Sequence, residues 1–273
     1  MRLDDLQDPF VRVLNHLEST LIASHIAAFP VLCWAPTDDV AMVRQEIAED
    51  CLDFSHVPIR DGKGRVRWIA CREDLNEKHG LLKNHAMPFK KRHVVDASRP
   101  LRETLLLLRD HSVLLLRSPE SGQTDGISGI INHADIQKTP VRLLLFAQIT
   151  EIEARLRNRL NREPWERDPV CAEFMRNAQN QRRDPEGQLP LINYLNLRQL
   201  MCLTRTCNIH FFPEKSKDEF IECAKRLTAI RNDISHTNDI GCSAGDNPLD
   251  TIAAVNRAFD FVDATLAAVV YLG

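Results

Sequence analysis

Two stretches in the first half of this 273-residue chain carry the same order of signals at the same spacing, and that repetition narrows the fold most. The first copy opens with Phe29-Pro30-Val31-Leu32 and passes Thr37 into a helical stretch, VAMVRQEIAEDCL. An apolar strand HVPIR, a DGKG hairpin turn, a strand RVRWIA and a helix start CREDL follow. The second copy opens with His93-Val94-Val95 and has Ser98 and Pro100 as cap and early-turn residues before LRETLLLLRDH. It continues with the strand VLLLR, the turn SPESGQTDG, the strand ISGII and the helix start NHADI. Thr37 is the expected N-cap of the first helix, with Asp38 and Asp39 adding negative charge where the helix dipole favours it. Thr37 to Asp74 and Ser98 to Asp135 are both separations of 37 residues. Equal spacing with a matching element order predicts two copies of one α+β unit. A lone unit of about 60 residues leaves much of its apolar sheet face in water, so the two are expected to pack together.

After Pro140 the apolar pattern changes to a period of about 3.6 residues. Leu144, Leu145, Ile149, Ile152, Leu156 and Leu160 fall on one face of a long helix, with Arg155, Arg157, Arg159 and Arg162 largely off it. A shorter helix is expected over about 169–182, and further main helices over about 192–207, over about 217–235 and from near Pro248 to the end. The four main helices, joined by loops without a strand signal, predict a bundle. One helix is expected to run straight out of the second repeat.

Composition excludes several classes. The formal charge of −3 offers no global attraction for nucleic acid, and residues 141–273 alone hold 17 basic against 18 acidic residues. Any nucleic-acid contact must be local. Eight scattered cysteines without a C-x-x-C pair fit a reducing compartment, and Cys202, Cys207 and His210 are the nearest approach to a zinc cluster. No second close pair completes that cluster, so no metal is expected. The acidic N-terminus lacks a secretory signal, and no run of about 18 apolar residues occurs. A cytoplasmic protein without membrane association is expected.

The repeated order, ending in GIINHADI (Gly129 to Ile136) and more loosely in IACREDL (Ile69 to Leu75), resembles the CBS domain, which occurs as tandem pairs. The resemblance implies a βαββα pair with a cleft that often holds an adenosyl nucleotide. In that family an Asp at the helix start takes the ribose hydroxyls and a Thr or Ser three residues earlier helps hold phosphate. Carried over, the ribose positions are Asp135 and Asp74, and the hydroxyl positions are Asn132 and Cys71. Asn can still bond phosphate, whereas Cys is a poor substitute, so the site built on Asp135 is the better candidate. Thr37 joins this nucleotide-binding set, although Asp38 and Asp39 discourage phosphate at that helix end. Read without the family, Asp74 and Asp135 serve equally as helix caps.

The string Ile230-Arg231-Asn232-Asp233-Ile234-Ser235-His236, at the end of the third main helix, resembles the R-x4-6-H motif of HEPN domains. That family includes metal-independent ribonucleases, among them toxins and antiviral effectors, in which Arg and His from two subunits meet across a homodimer interface. The resemblance assigns catalysis to Arg231 and His236, with Asn232 as the polar residue after the Arg. The chemistry is coherent. Imidazole exchanges protons near neutral pH, and a guanidinium fork stabilises charge developing on a phosphate. Five residues of ideal helix rotate through about 500°, which leaves the two side chains about 140° apart. They share a site only if the helix unwinds before His236 or a partner subunit supplies one of them. Arg and His are also common caps at helix C-termini. Arg155, Arg157, Arg159, Arg162, Arg182 and Arg183 make either a phosphate path or a solvated helix face.

Together these features predict an α+β chain with a tandem CBS-like module in residues 1–140, including an N-terminal helix, and a HEPN-like four-helix bundle in 141–273. The expected function is a homodimeric, metal-independent endoribonuclease without a catalytic cofactor, regulated by an adenine nucleotide of AMP, ADP or ATP type. The alternative is a non-catalytic regulatory or scaffolding dimer that binds a protein or nucleic-acid partner. A third reading makes the helical half a toxin held by a separate antitoxin. Three Trp and two Tyr offer little stacking surface, so strong base specificity in any RNA substrate is not expected.

Overall fold

The computed structural model describes residues 9–49, 55–161, 169–181, 192, 195–206, 217–236, 240, 264, 265 and 267. Two compact units are present, Glu18–Val141 and a second made of Arg142 onward with the residues before Glu18. Helix α1 (Pro9–Thr20) leads into the first unit. Its elements are α2 (Val40–Glu49), β1 (His56–Arg60), β2 (Val66–Cys71), α3 (Arg72–Leu75), β3 (Met87–Pro88), β4 (Val94–Asp96), α4 (Leu101–Asp110), β5 (Val113–Arg117) and β6 (Ile127–Asn132). A 3-10 turn at His133–Gln137 precedes α5 (Thr139–Leu160).

The two copies build two three-stranded sheets, β1-β2-β3 and β4-β5-β6. In the second, β4 runs parallel to β5, and β5 pairs antiparallel with β6. In the first copy the parallel partner shrinks to one residue, Trp34, whose amide donates to Pro58 O (3.2 Å) and whose carbonyl accepts from Arg60 N (3.0 Å). Pro58 explains the difference. It has no N–H to extend the ladder toward Leu32, whereas Leu115 stands opposite Val94 in the second copy. The shared 37-residue spacing conceals two compensating changes. Residues 50–55 separate helix from strand in the first copy against 111–112 in the second, while the hairpin turns are 61–65 and 118–126.

The segment that opens the first copy pairs with the second. Residues 28–31 lie against the second copy, with Ala28 N donating to Ile130 O (2.8 Å), Ile130 N to Ala28 O (3.2 Å) and Val31 N to Ser128 O (3.0 Å). The equivalent segment of the first copy is β3, which pairs with β2 and is followed by Phe89 N donating to Arg67 O (2.7 Å). Upstream, Leu21 O accepts from Leu101 N (2.7 Å) and Gly80 O accepts from Val40 N (2.9 Å). Each carbonyl satisfies the first amide of a helix, a group with no partner inside the helix. Gly129 allows the approach, because a Cβ there would lie 2.8 Å from Phe29 Cε1 and 3.1 Å from Ala28 O.

Thr37 does not cap α2. Asp39 stands immediately before Val40 and accepts from Ala41 N at 2.8 Å, while its carbonyl accepts from Val43 N at 3.1 Å. Thr37 is three residues before the helix, too early to serve. In the second copy Pro100 is the N-cap residue without a side-chain bond, and Ser98 again lies too early.

Packing follows the strand patterns. Trp34, Val40, Val43, Ile47, Val57, Ile59, Ala70, Leu75 and Leu82 form the core of the first copy, with Trp34 Nε1 donating to Glu46 at 2.7 Å. Val66 and Ile69 from β2 meet Val113, Leu115, Ile127 and Ile130 from β5 and β6 in a core shared by the two sheets. The four residues Val113 to Leu116 are all buried, as a strand covered on both faces requires.

The hairpin turns carry opposite electrostatic roles. Asp61 stays within its own turn, accepting from Lys63 N (2.8 Å) and Arg65 N (3.0 Å) and pairing with Arg65 and Arg67. These donors hold its carboxyl well below the usual carboxylate range. Asp125 reaches across the repeat. Its Oδ1 meets Arg60 at 3.2 Å and its Oδ2 accepts from Val66 N at 2.6 Å, with both charged groups only 16% exposed.

In the second unit the described helices are the body of α5, α6 (Pro169–Gln181), α7 (Leu197–Thr206) and α8 (Lys217–Ser235). The apolar residues expected on one face of α5, from Leu144 to Leu160, are all buried. Helix α7 starts later than the apolar period suggests because Asn196 and Gln199 form a reciprocal cap, each side chain accepting from the other's amide at 2.9 Å. It packs against α8. Most of the expected C-terminal helix lies outside the described residues.

Replacing Asp125 with Ala leaves Arg60 and the Val66 amide short of a partner where water has little access. The expected loss is about 2–4 kcal/mol, read as a fall in the urea midpoint with unchanged slope.

Candidate functional site

A cavity of about 190 Å³ opens at the seam between the two copies. Its apolar wall is Ile69, Met87, Pro88, Phe89 and Val113, and its polar wall is His56, Cys71, His93, Asp110, His111 and Ser112. The fold explains the gathering. His56 opens β1, Cys71 ends β2, His93 directly precedes β4, and Asp110 to Ser112 join α4 to β5. His56 is oriented from both sides, with Nδ1 at 2.9 Å from Ser55 Oγ and Nε2 at 3.2 Å from Ser112 Oγ. The His93 ring lies 4.7 Å from that of His111 and 5.6 Å, edge-on, from that of Phe89.

Charge and burial make two of these imidazoles reluctant bases. Burial lowers the His56 pKa most, His133 lowers it further, and Asp74 opposes both. His93 is lowered by burial first, then by His111, Arg92 and Lys90. The histidines were not singled out in the sequence. Their only cue is that each stands at or within two residues of a strand start.

The nucleotide positions inferred from the family resemblance separate into two different environments. Asn132 and Asp135 cap the turn that follows β6. Asn132 Oδ1 accepts from Ala134 N at 2.8 Å, and Asp135 Oδ2 accepts from Asn132 N at 2.7 Å. The other Asp135 oxygen meets Lys138 Nζ at 2.7 Å, and Lys138 also donates to Ile26 O at 2.6 Å. Asp135 is thus buried and engaged at both oxygens, so a ribose there competes with bonds already made. Asp74 is exposed, Cys71 makes no side-chain cap, and Cys71 lines the cavity. Thr37 is exposed in the turn before α2.

In the helical unit, α8 keeps its turn through the motif. His236 N donates to Asn232 O at 2.9 Å, and Ser235 Oγ donates to Arg231 O at 2.8 Å. Unwinding before His236 does not occur, so Arg231 and His236 of one chain remain on different sides of the helix. Arg231 Nε lies 3.9 Å from Glu153 Oε1, with 44% of its side chain exposed. His236 is exposed at the helix end, Asn232 is half-buried, and Asp233 is buried with its carbonyl accepting from Arg142 at 3.3 Å. Glu153 also holds Arg157 at 3.1 Å, and Glu151 holds Arg155 at 2.5 Å. These two arginines of the expected phosphate path are therefore paired along their own helix. Arg162, Arg182 and Arg183 lie outside the described residues, as do Cys207 and His210.

Among the described residues, no three His, Cys, Asp or Glu side chains are grouped to hold a metal ion. None of the described helices is long and apolar enough to cross a membrane.

The depressed imidazoles have a consequence for stability. A histidine that binds protons more weakly in the fold contributes its full stability above the unfolded value, about 6.5. That contribution falls as the pH drops through this value toward the folded one. The urea midpoint is expected to be lower at about pH 5.5 than at about pH 7.5, with the difference narrowed in His56→Gln.

No protein-family model matches the chain, and no curated protein matches it. Solved structures of CBS domain pairs are similar to about 45% of the chain. An acetoin utilization protein (AcuB) from Vibrio cholerae is 18% identical over 45% of this chain and 93% of its own, with a TM-score of 0.37. The CBS domain of a bacterial CNNM/CorC family Mg2+ transporter in complex with ATP is 13% identical over 48% of this chain and 94% of its own, with a TM-score of 0.38. CBSX2 in complex with AMP is 14% identical over 42% of this chain and 92% of its own, with a TM-score of 0.34.

Proposed function

We propose that this chain is a nucleotide-regulated effector, with a tandem CBS-type sensor within residues 1–140 and a HEPN-like effector within 141–273. The observation that carries the sensor is the cavity at the seam of the repeat, lined by apolar side chains together with imidazoles and a hydroxyl. Cys71 stands opposite His56 in the β1–β2 register, and Asp74 follows in the short helix it opens, so a carboxylate stands within one turn of that wall. The better-placed family site is therefore the one built on Asp74, despite Cys71 standing where a hydroxyl is usual. An adenine nucleotide is the proposed ligand, as in the AMP and ATP complexes named above. The setting proposed is the cytoplasm.

The effector proposed is a metal-independent endoribonuclease working as a homodimer. In the RNA substrate the ribose 2′-hydroxyl attacks the adjacent phosphorus, and a P–O2′ bond forms as the P–O5′ bond breaks. The 2′-hydroxyl proton is carried by way of His236 to the leaving 5′-oxygen, and Arg231 faces the charge on the phosphate; the products are a 2′,3′-cyclic phosphate and a 5′-hydroxyl. The exposed positions of both side chains near one helix end favour this. Their separation around an unbroken helix requires Arg231 of one subunit to serve His236 of the other. A non-catalytic dimer is the second reading, and the ion pair already made by Arg231 with Glu153 favours it.

Titration of AMP, ADP and ATP into the full chain is expected to show binding that Ser112→Trp, which fills the cavity, weakens at least ~10-fold. Absence of binding to the parent chain overturns the sensor. In EDTA, His236→Ala and Arg231→Ala should each lower RNA cleavage by about 10²–10⁴-fold. Mixing the two variants should restore part of the activity, because a mixed dimer keeps one intact composite site. Cleavage that survives His236→Ala, or no cleavage by any form, sinks the nuclease and leaves the binding dimer.

A further inference from the structure

We propose that Lys90, Lys91 and Arg92, with Arg65 and Arg67 beside them, form a docking patch for single-stranded RNA on the first unit. The inference rests on the nuclease reading for the class of partner, and it adds where that partner is held. Charge is unevenly placed along this chain. Residues 60–92 hold 10 basic against 4 acidic residues of the chain's 35 and 38, which leaves 25 against 34 elsewhere. A polyanion repelled by most of the surface is drawn to that segment. The fold gathers it. β2 and β3 pair through Trp68 with Pro88 and Ile69 with Met87, and Phe89 N donates to Arg67 O at 2.7 Å. Lys90 to Arg92 therefore leave the sheet beside the end of β2 where Arg65 and Arg67 stand.

Lys90, Lys91 and Arg92 are all exposed, and among the described residues no carboxylate pairs with them. Arg65 and Arg67 share one carboxylate, Asp61, at 3.0 and 3.1 Å, and keep 38% and 48% of their side chains exposed. In the helical unit, by contrast, Arg155 and Arg157 are each paired with a glutamate of α5. The edge position narrows the partner further. β3 borders its sheet and Pro88 has no amide to donate, so an added protein strand is disfavoured. Met87 is the one large apolar side chain exposed within 83–92, too little to anchor the patch in a lipid surface. Lys90 O accepts from His93 N at 3.0 Å and closes a 3-10 turn over Lys91–His93. About three residues per turn aim the three cations in different directions, which a flexible single strand can follow and a rigid duplex cannot.

The test is fluorescence anisotropy of a labelled, fully 2′-O-methylated RNA oligonucleotide with the full chain in EDTA, between about 50 and 200 mM salt. Without a free 2′-hydroxyl this RNA cannot be cut, so binding is read apart from cleavage. The expected result is binding that Lys90→Gln, Lys91→Gln and Arg92→Gln together weaken about 10-fold at low salt. The slope of log affinity against log salt should fall by about 2, as for three lost phosphate contacts. No binding by the parent chain, or binding and slope unchanged in the triple variant, overturns the inference. So does patch-dependent binding to phosphatidylserine vesicles without patch-dependent binding to RNA. Parent-like binding by the triple variant alongside cleavage that needs His236 removes the patch and leaves the nuclease standing. Patch-dependent binding by a chain that cleaves no RNA does the reverse. An equal urea midpoint for parent and triple variant separates loss of charge from loss of fold, and Lys90→Arg with Lys91→Arg, which keeps the charge, is expected to bind as the parent does.

Discussion

Two backbone carbonyls organise the first unit. Leu21 O and Gly80 O each accept from the first amide of a repeat helix, Leu101 N and Val40 N, and the segments behind them go on to pair with a sheet. The pairing is offset between the copies. The first copy is completed by the chain that follows it, β3, whereas the second is completed by residues 28–31 from before the first. The second copy therefore gains this extra pairing beside β6 only from residues that lie before the whole of the first. Loop closure of that length slows assembly but joins the copies into one cooperative unit. Asp125 adds a second tie, holding Arg60 and the start of β2 from the opposite hairpin.

The same interlock makes the cavity. Wherever β2 and β5 share a core through Ile69, Val113 and Leu115, the ends of those strands fall at one seam. His56, Cys71, His93 and His111 come from four different strand ends and reach one space only because the copies pack face to face. Side chains that sit apart in sequence are given a common polar wall by backbone pairing.

Much of this architecture was legible beforehand, and the failures have physical causes. The two α+β copies, their hairpins and the positions of α5, α6 and α8 follow from apolar period and turn residues, which are side-chain signals. The exchange of residues 28–31 is not, because it runs through backbone groups that every residue carries. Thr37 and Ser98 misled because good capping residues stand near a helix start without occupying it, and Asp39 and Pro100 were closer. The cavity escaped notice since no motif joins three histidines spread over residues 56–111. The start of α7 was placed too early, near residue 192, because the apolar period runs on past the Asn196–Gln199 cap that sets it. The separation of Arg231 and His236 on an unbroken helix was legible too, whereas whether the helix unwinds before His236 was left open by the sequence.

The central claim is that ligand recognition lies at the seam of the repeat beside Asp74 and not at the capped turn of Asp135. Hydrogen exchange of the full chain with and without AMP tests it most directly. The account predicts added protection at His56 to Cys71, Phe89 to Val94 and His111 to Val113, with little change at Asn132 to Lys138. Protection confined to Asn132 to Lys138, or no change anywhere at saturating AMP, would contradict it.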